Sequence, residues 1–171
     1  MQGKNITLNA ISKEDIVFIN KLRNDWENKK MTLGVRYPIS LENDIAWYDK
    51  IINDHTNKNI YFVIKKNVTE ENVGLIQISN IDWINRNASV GIQIIREEWG
   101  KGVGSEALNL LLDYSFNILN LIKIVAEVAS FNENSLRLFR KSGFEIEGQL
   151  KNQLYYHNEY HDVFVLGRFK K

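Results

Sequence analysis

Apolar residues first fall into a two-residue rhythm at "NITLNAI" (5–11), which predicts an opening strand. The rhythm then lengthens. Ser12 with Asp15 makes an N-terminal capping box, and Ile16, Ile19, Leu22 and Trp26 follow at helical spacing. A second helix is expected after "YPIS", capped by Ser40, with Ile45, Tyr48, Ile51 and Ile52 on one face. Three strand-like runs come next: "NIYFVIKK" (59–66), "NVGLIQISNI" (72–81) and "NASVGIQII" (87–95). The polar loops "NVTEE" and "DWINRN" between them are short enough for antiparallel neighbours. Ala107, Leu108, Leu111, Leu112, Ser115, Phe116 and Leu119 then describe a longer helix. "LIKIVAEVAS" (121–130) reads as a buried strand, and "FNENSLRLFRKSGF" as a short helix capped by Asn132 or Asn134 and stopped by Gly143. "FEIEGQLKNQLYYH" and "YHDVFVLGRF" close the chain as a hairpin turning at His157–Glu159. The order β-α-α-β-β-β-α-β-α-β-β predicts an α/β (mixed α+β) fold: a central, mostly antiparallel sheet flanked by helices, in a single domain over residues 1–171.

Composition adds little to this pattern but removes several chemistries. Hydrophobic residues make up 44% of the chain, charged ones 25%, and the formal net charge is +1. No global field draws such a chain to nucleic acid or to a membrane, and neither is expected as a partner. Cysteine is absent, which excludes disulfides, thiolate metal sites and cysteine nucleophiles. The three histidines, His55, His157 and His161, lack ligand spacing, so no metal is expected. "MQGKNITLNAISKED" has no apolar leader run, and a cytoplasmic protein is the expectation.

"REEWGKGVGSEAL" (96–108) breaks the pattern, with Gly100, Gly102 and Gly104 placed between a strand and a helix. A plain turn needs one glycine, not three in alternation. "GVGSEA" fits the dinucleotide fingerprint G-x-G-x-x-A, and Glu127 stands about twenty residues on, where a ribose-binding acid is wanted. Yet "REEW" separates strand from glycine, and the run of antiparallel strands upstream does not suit that fold. A third reading keeps the physics and changes the ligand. The free N–H groups of a helix N-terminus, bare of side chains, can seat a pyrophosphate whose carrier has an arm to lay along a strand edge. Coenzyme A is such a carrier.

"WGKGVGSEAL" resembles motif A of the GNAT (Gcn5-related) N-acetyltransferases, Q/R-x-x-G-x-G/A, with Gly102 and Gly104 as its glycines and Trp99 where Gln or Arg is usual. "NENSLRLFRKSGFEIEG" (132–148) resembles the family's second motif, and the element order above is also the family's. The RimJ/RimL-like branch and the spermidine N-acetyltransferases share the "RKxGFEIEG" flavour and an ending like "EYHDVFVL". The resemblance implies an acetyl-CoA-dependent N-acetyltransferase. Its acceptor would be a primary amine on a small molecule or peptide: a protein N-terminus, a polyamine or an amino sugar. A homodimer is also implied.

By that resemblance, the amides of Gly100, Lys101, Gly102, Val103, Gly104 and Ser105 would hold the pyrophosphate. The main chain of Ile94, Ile95 and Arg96 would pair with the pantetheine arm, one N–H there polarising the acetyl carbonyl. Arg96 or Lys101 would add charge against phosphate, Asn132 would bond the arm, and Phe139 and Arg140 would flank it. An alkyl amine, with a pKa of roughly 10, must lose a proton before attacking a thioester. Relatives offer a tyrosine acid where this chain has Phe139, and the spermidine enzymes a glutamate where it has Ser89. Glu127 is the candidate base, and Tyr155, or Tyr156 on the opposite face, the candidate hydroxyl. Asp25, Glu27, Glu42 and Asp44 are candidate carboxylates for a polyamine, and Trp26, Trp47 and Tyr48 either line a pocket or pack. The missing acid and base motivate one alternative from another class: a catalytically silent acyl-CoA-binding or sensing module on the same fold.

Overall fold

The computed structural model describes residues 1–171. Seven strands form one sheet: β1 (Ile6–Ala10), β2 (Ile60–Lys66), β3 (Asn72–Asp82), β4 (Asn87–Ile94), β5 (Lys123–Ala129), β6 (Glu145–Tyr156) and β7 (Glu159–Phe169). Their spatial order is β1-β2-β3-β4-β5-β7-β6. Every neighbouring pair is antiparallel except β4 and β5. The helices are α1 (Ile16–Asn24), α2 (Trp26–Met31), α3 (Leu41–Ile52), α4 (Val103–Asp113, prolonged by a wider turn at Tyr114–Ile118) and α5 (Glu133–Lys141). The mixed, mostly antiparallel sheet is as the pattern predicts, with one helix more.

That extra helix has a local cause. Asp25 leaves helical geometry (φ −59°, ψ 121°), and its carboxylate caps a new helix by accepting from the Asn28 N–H at 2.8 Å. Trp26 therefore drops off the apolar stripe and stands exposed. In α3 the inward face is Asp44, Trp47, Tyr48 and Ile51, whereas Ile45 and Ile52 face solvent. The spacing was helical but the stripe is turned by one residue, because an ion pair to Arg23 draws Asp44 fully inward.

Pleat alternation sorts the sheet into two faces. Ile64, Ile76, Ile78, Val90 and Ile124 belong to the large core with Ala107, Leu108 and Leu111 of α4. On the other face Leu75 packs with Ile16, Ile19 and Leu22 of α1. The closing hairpin turns on His157 and Asn158, both at positive φ (50° and 66°), as a tight two-residue turn requires.

The feature that positions everything else is the parallel pair. β4 and β5 share only Asn87–Lys123, Ala88–Ile124 and Ser89–Val125. Beyond these, β4 stays with β3 and β5 with β7, and a slot opens between them. Leu108 anchors the helix that closes one end of that slot and is fully buried. Leu108→Ala should lower unfolding free energy by about 2–5 kcal/mol in urea titrations without shifting the slope.

Candidate functional site

Two connected cavities, of about 540 and 570 Å³, meet at the slot and share Met31, Thr32, Ile92, Gln93, Asn132 and Ser135. One lies on the α4 and α5 side of the sheet, where the glycine segment stands. The other lies on the α1 and α3 side, over the strand row Tyr61–Gln77–Gly91. A long ligand can thus enter along one face and present its tip on the other.

At the first cavity the chain turns through Gly100 (φ +75°) and Gly102 (φ +90°), a left-handed geometry that side chains resist. Gly104 is glycine for another reason. A Cβ there would sit 3.1 Å from Ile94 Cδ1 and 3.4 Å from Leu138, so its absence lets α4 start against β4 and α5. The first bond of the helix is Glu106 N–H to the Gly102 carbonyl, at 3.0 Å. The N–H groups of Gly100, Gly102, Val103, Gly104 and Ser105 donate to no protein acceptor, and five free donors beside a helix dipole suit a diphosphate. Val103 lends only its amide, since its side chain is buried in the core.

Along β4 the main chain sorts itself by alternation. The Ile95 N–H donates to the Val73 carbonyl (2.9 Å) and the Ile95 carbonyl accepts from Glu98 (3.1 Å). Ile95 thus offers nothing to a ligand, and this corrects the expectation for it. By the same alternation Ile92 and Ile94 turn their main-chain groups into the slot, where β5 has left. Trp99, at the position where Gln or Arg was expected, donates its indole N–H to the Ile94 carbonyl at 2.8 Å. Gln93 Oε1 is buried at the join with no hydrogen-bond partner, an acceptor suited to a ligand amide.

The remaining expected residues divide. Asn132 lines both cavities, but its Oδ1 caps α5 through Ser135 N–H (3.1 Å) and its Nδ2 donates to the Met31 carbonyl (2.8 Å). It ties α5 to the end of α2, where the strap at 32–40 begins. Phe139 is buried edge-on to Phe144, yet reaches the second cavity. Arg140 is exposed and lines neither cavity. Helical spacing instead brings Asn134, Arg137, Leu138 and Lys141 to the first, a period legible in the sequence but not used. Arg96 is exposed and lines neither cavity, and Lys101 leans toward Glu98 (3.6 Å).

Glu127 faces the second cavity on the same sheet face as Ser89, Gly91, Gln77 and Tyr61. Tyr155 is not brought to it. That side chain stands at the outer hairpin, its hydroxyl donating to Asn158 (2.7 Å) and its ring against Tyr160. Tyr156 faces the strap, stacked on Phe131 and under Arg36. Three of the four candidate polyamine carboxylates are engaged elsewhere: Asp25 caps α2, Glu27 pairs with Lys30, and Asp44 pairs with Arg23; Glu42 is exposed and lines neither cavity. Residues unremarked in the sequence complete this cavity: Arg23, Tyr61, Gln77 and Asn80, with Trp47. Burial pushes the Tyr61 hydroxyl up from its ordinary range.

The acetyltransferase (GNAT) domain family matches residues 5–145. The spermidine N(1)-acetyltransferase of Escherichia coli (strain K12) is 30% identical over 166 residues, covering 96% of this chain and 86% of that protein. Its counterpart in Vibrio cholerae serotype O1 is 33% identical over 159 residues, covering 92% and 89%. A crystal structure of the Vibrio cholerae spermidine N-acetyltransferase in complex with CoA and spermine superposes with a TM-score of 0.90 at 32% identity, covering 96% of this chain and 95% of that one. Another structure of that enzyme, dodecameric and in an intermediate state, gives 0.83 at 33%, covering 96% and 94%.

One carboxylate, Glu98, is buried beside the glycine turn, and Lys66 covers it at 2.7 Å. That ammonium holds the Glu98 carboxyl below its usual range, against burial, which raises it. Lys66→Met should uncover the charge and weaken acetyl-CoA binding about tenfold at pH 7.5 by calorimetry, about 1.4 kcal/mol. Without Lys66 the carboxyl protonates more readily, so the defect should shrink as pH falls toward 5. Lys66→Met with Glu98→Gln should bind nearly as wild type; a brace with no electrostatic role predicts that the double variant stays weak.

Proposed function

The chain belongs to the GNAT acetyltransferase family and is an acetyl-CoA-dependent N-acetyltransferase of primary amines, and on that premise we propose that its acceptor is a polyamine. The observation that carries the reading is the slot: the main chain of Ile92 and the N–H of Ile94, left by β5, lead from five free amides to a cavity holding one unpaired carboxylate. The similarity to spermidine N-acetyltransferases over nearly the whole chain supports the polyamine. Residues 1–171 act as one domain, and the protein works in the cytoplasm; no helix is long and apolar enough to cross a membrane. Self-association, as a homodimer or a larger ring, accords with the dodecameric neighbour and with the outer edge of β6, which pairs with nothing.

In this reading Gly100, Gly102, Val103, Gly104 and Ser105 hold the diphosphate through main-chain N–H groups, whereas the Lys101 N–H, expected to join them, already donates to the Glu98 carbonyl (3.4 Å); Arg137 and Lys141 face the diphosphate with positive charge. The main chain of Ile92 and Ile94 and the buried Gln93 carbonyl receive the pantetheine amides. Bound acetyl-CoA supplies the electrophilic thioester carbonyl. An N–H of β4 in the slot polarises that carbonyl, and being fixed in the sheet it needs no reorganisation to do so. Glu127 draws the ammonium into the second cavity and accepts its proton, directly or through water. Phe139 has no proton to give, so the departing thiolate relies on its own stability, a thiol pKa of about 8.5, and on the Ser135 hydroxyl at the join. Alignment of amine and thioester supplies the rest of the acceleration.

Thiol titration with acetyl-CoA against spermidine, spermine, an amino sugar and a dipeptide tests the reading. Thiol release with a polyamine is expected, and Glu127→Gln should lower kcat about a hundredfold with KM for acetyl-CoA unchanged. Binding of acetyl-CoA with no thiol released by any amine would instead establish the silent module.

A further inference from the structure

Charge in the second cavity is unevenly placed. Glu127 stands at the slot. The opposite wall carries Arg23, whose guanidinium lies over Trp47 at 5.1 Å from the ring centre, with Trp47 edge-on to Tyr61 at 5.2 Å. Behind Arg23, away from the cavity, is Asp44, wholly buried and bonded to one guanidinium nitrogen and to Asn20 Nδ2 (2.7 Å). A second cation belongs to the same group. Lys29 is 5% exposed, and its ammonium finds only the Tyr37 carbonyl. Burial and the nearby Arg23 push the Lys29 ammonium below its usual range, against Asp44. Asp44 is thus the one carboxylate near two cations, paired directly with Arg23 alone, and a buried charge left without a counter-ion is costly.

Arg23 engages Asp44 through a single nitrogen, and a quarter of its side chain, 26%, is open to the cavity. Its other N–H groups form the planar donor set that matches a carboxylate or phosphate. Glu127, on β5 across the slot, and Arg23, over Trp47 beside Tyr61, stand beyond the two ends of the row Tyr61–Gln77–Gly91, which itself spans two strand spacings, about 10 Å. We infer that the enzyme also acetylates amines that carry an oxyanion several carbon atoms from the nitrogen, the ammonium going to Glu127 and the oxyanion to Arg23. The inference rests on the acetyl-transfer reading and extends the acceptor class beyond polyamines, which leave this cationic wall unused. The reaction balances as before: the N–C bond forms, the C–S bond breaks, and the amine proton passes to Glu127 and on to solvent.

Acceptors matched in length test it. The full-length protein is assayed by thiol release with ω-aminocarboxylates of five, six and eight carbons, ω-aminoalkyl phosphates of the same lengths, the plain alkylamines, and spermidine. At one length or more, an oxyanion-bearing acceptor should exceed its plain alkylamine in kcat/KM by more than fivefold. The carboxylate and phosphate arms distinguish the two sources of the charge. The variant is Arg23→Gln with Asp44→Asn, which removes both partners of the ion pair; in it the ratio should fall to about one, whatever the absolute rates. Arg23→Lys should retain part of the preference. A ratio of fivefold or less at every length, or a preference that survives the double variant, overturns the inference. Turnover of spermidine without that preference defeats this inference alone, whereas no turnover of any amine defeats the acetyl-transfer reading and this one with it.

Discussion

Two parallel strands that keep company for three residues and then part are the constraint on which the site depends. β5 cannot follow β4 past Ser89, because along its whole length it is paired with β7. β4 cannot bend after β5, because it is held by β3 as far as Ile94. Backbone groups that a closed sheet would satisfy are left facing a gap at Ile92 and at the Ile94 N–H, the Ile94 carbonyl being taken by the Trp99 indole, and unsatisfied main chain is a standing demand for a partner. A pantetheine arm, with its two amides, meets that demand as a strand would. The helix start at Gly102 sets free main-chain N–H groups at one end of the same gap, in our proposal the diphosphate site, and Gly104 makes the two coincide by letting α4 close against β4.

Much of this was legible in the sequence. Period-two and helical spacing gave the order of elements along the chain, α2 apart, and the alternating glycines marked a helix start bare of side chains. What escaped was set by tertiary contacts. Asp25 ended α1 because its carboxylate had a better use capping α2, and Asp44 turned α3 because Arg23 stands across from it. Ile95 looked as available as Ile94, but only the register with β3 decides which amide faces the slot. Tyr155 was placed by residue type alone, and the hairpin carries it away. Arg140 followed the motif's order, whereas the helical period selects Arg137 and Lys141.

Electrostatics divides the groove into parts with separate tasks. At the diphosphate end charge is gathered by neutral amides and a dipole, and the one carboxylate there is covered by Lys66. At the acceptor end a single carboxylate and a cationic wall stand apart across the sheet. Between them lies the slot, lined by side chains with little charge: Ile92, Gln93, Ser135 and Phe139. A cofactor whose charge is concentrated in its diphosphate and whose thioester is neutral fits that sequence of environments.

The central claim, that acetyl-CoA takes the place of a strand between β4 and β5, is tested most directly by amide-resolved NMR of the protein titrated with acetyl-CoA. The account predicts the largest shifts at Gly102, Val103, Gly104 and Ser105. It also predicts new protection from hydrogen exchange at Ile92 and Ile94, with Ile95 protected before and after. Saturable binding that left the Ile92 and Ile94 amides exchanging as freely as before would contradict it.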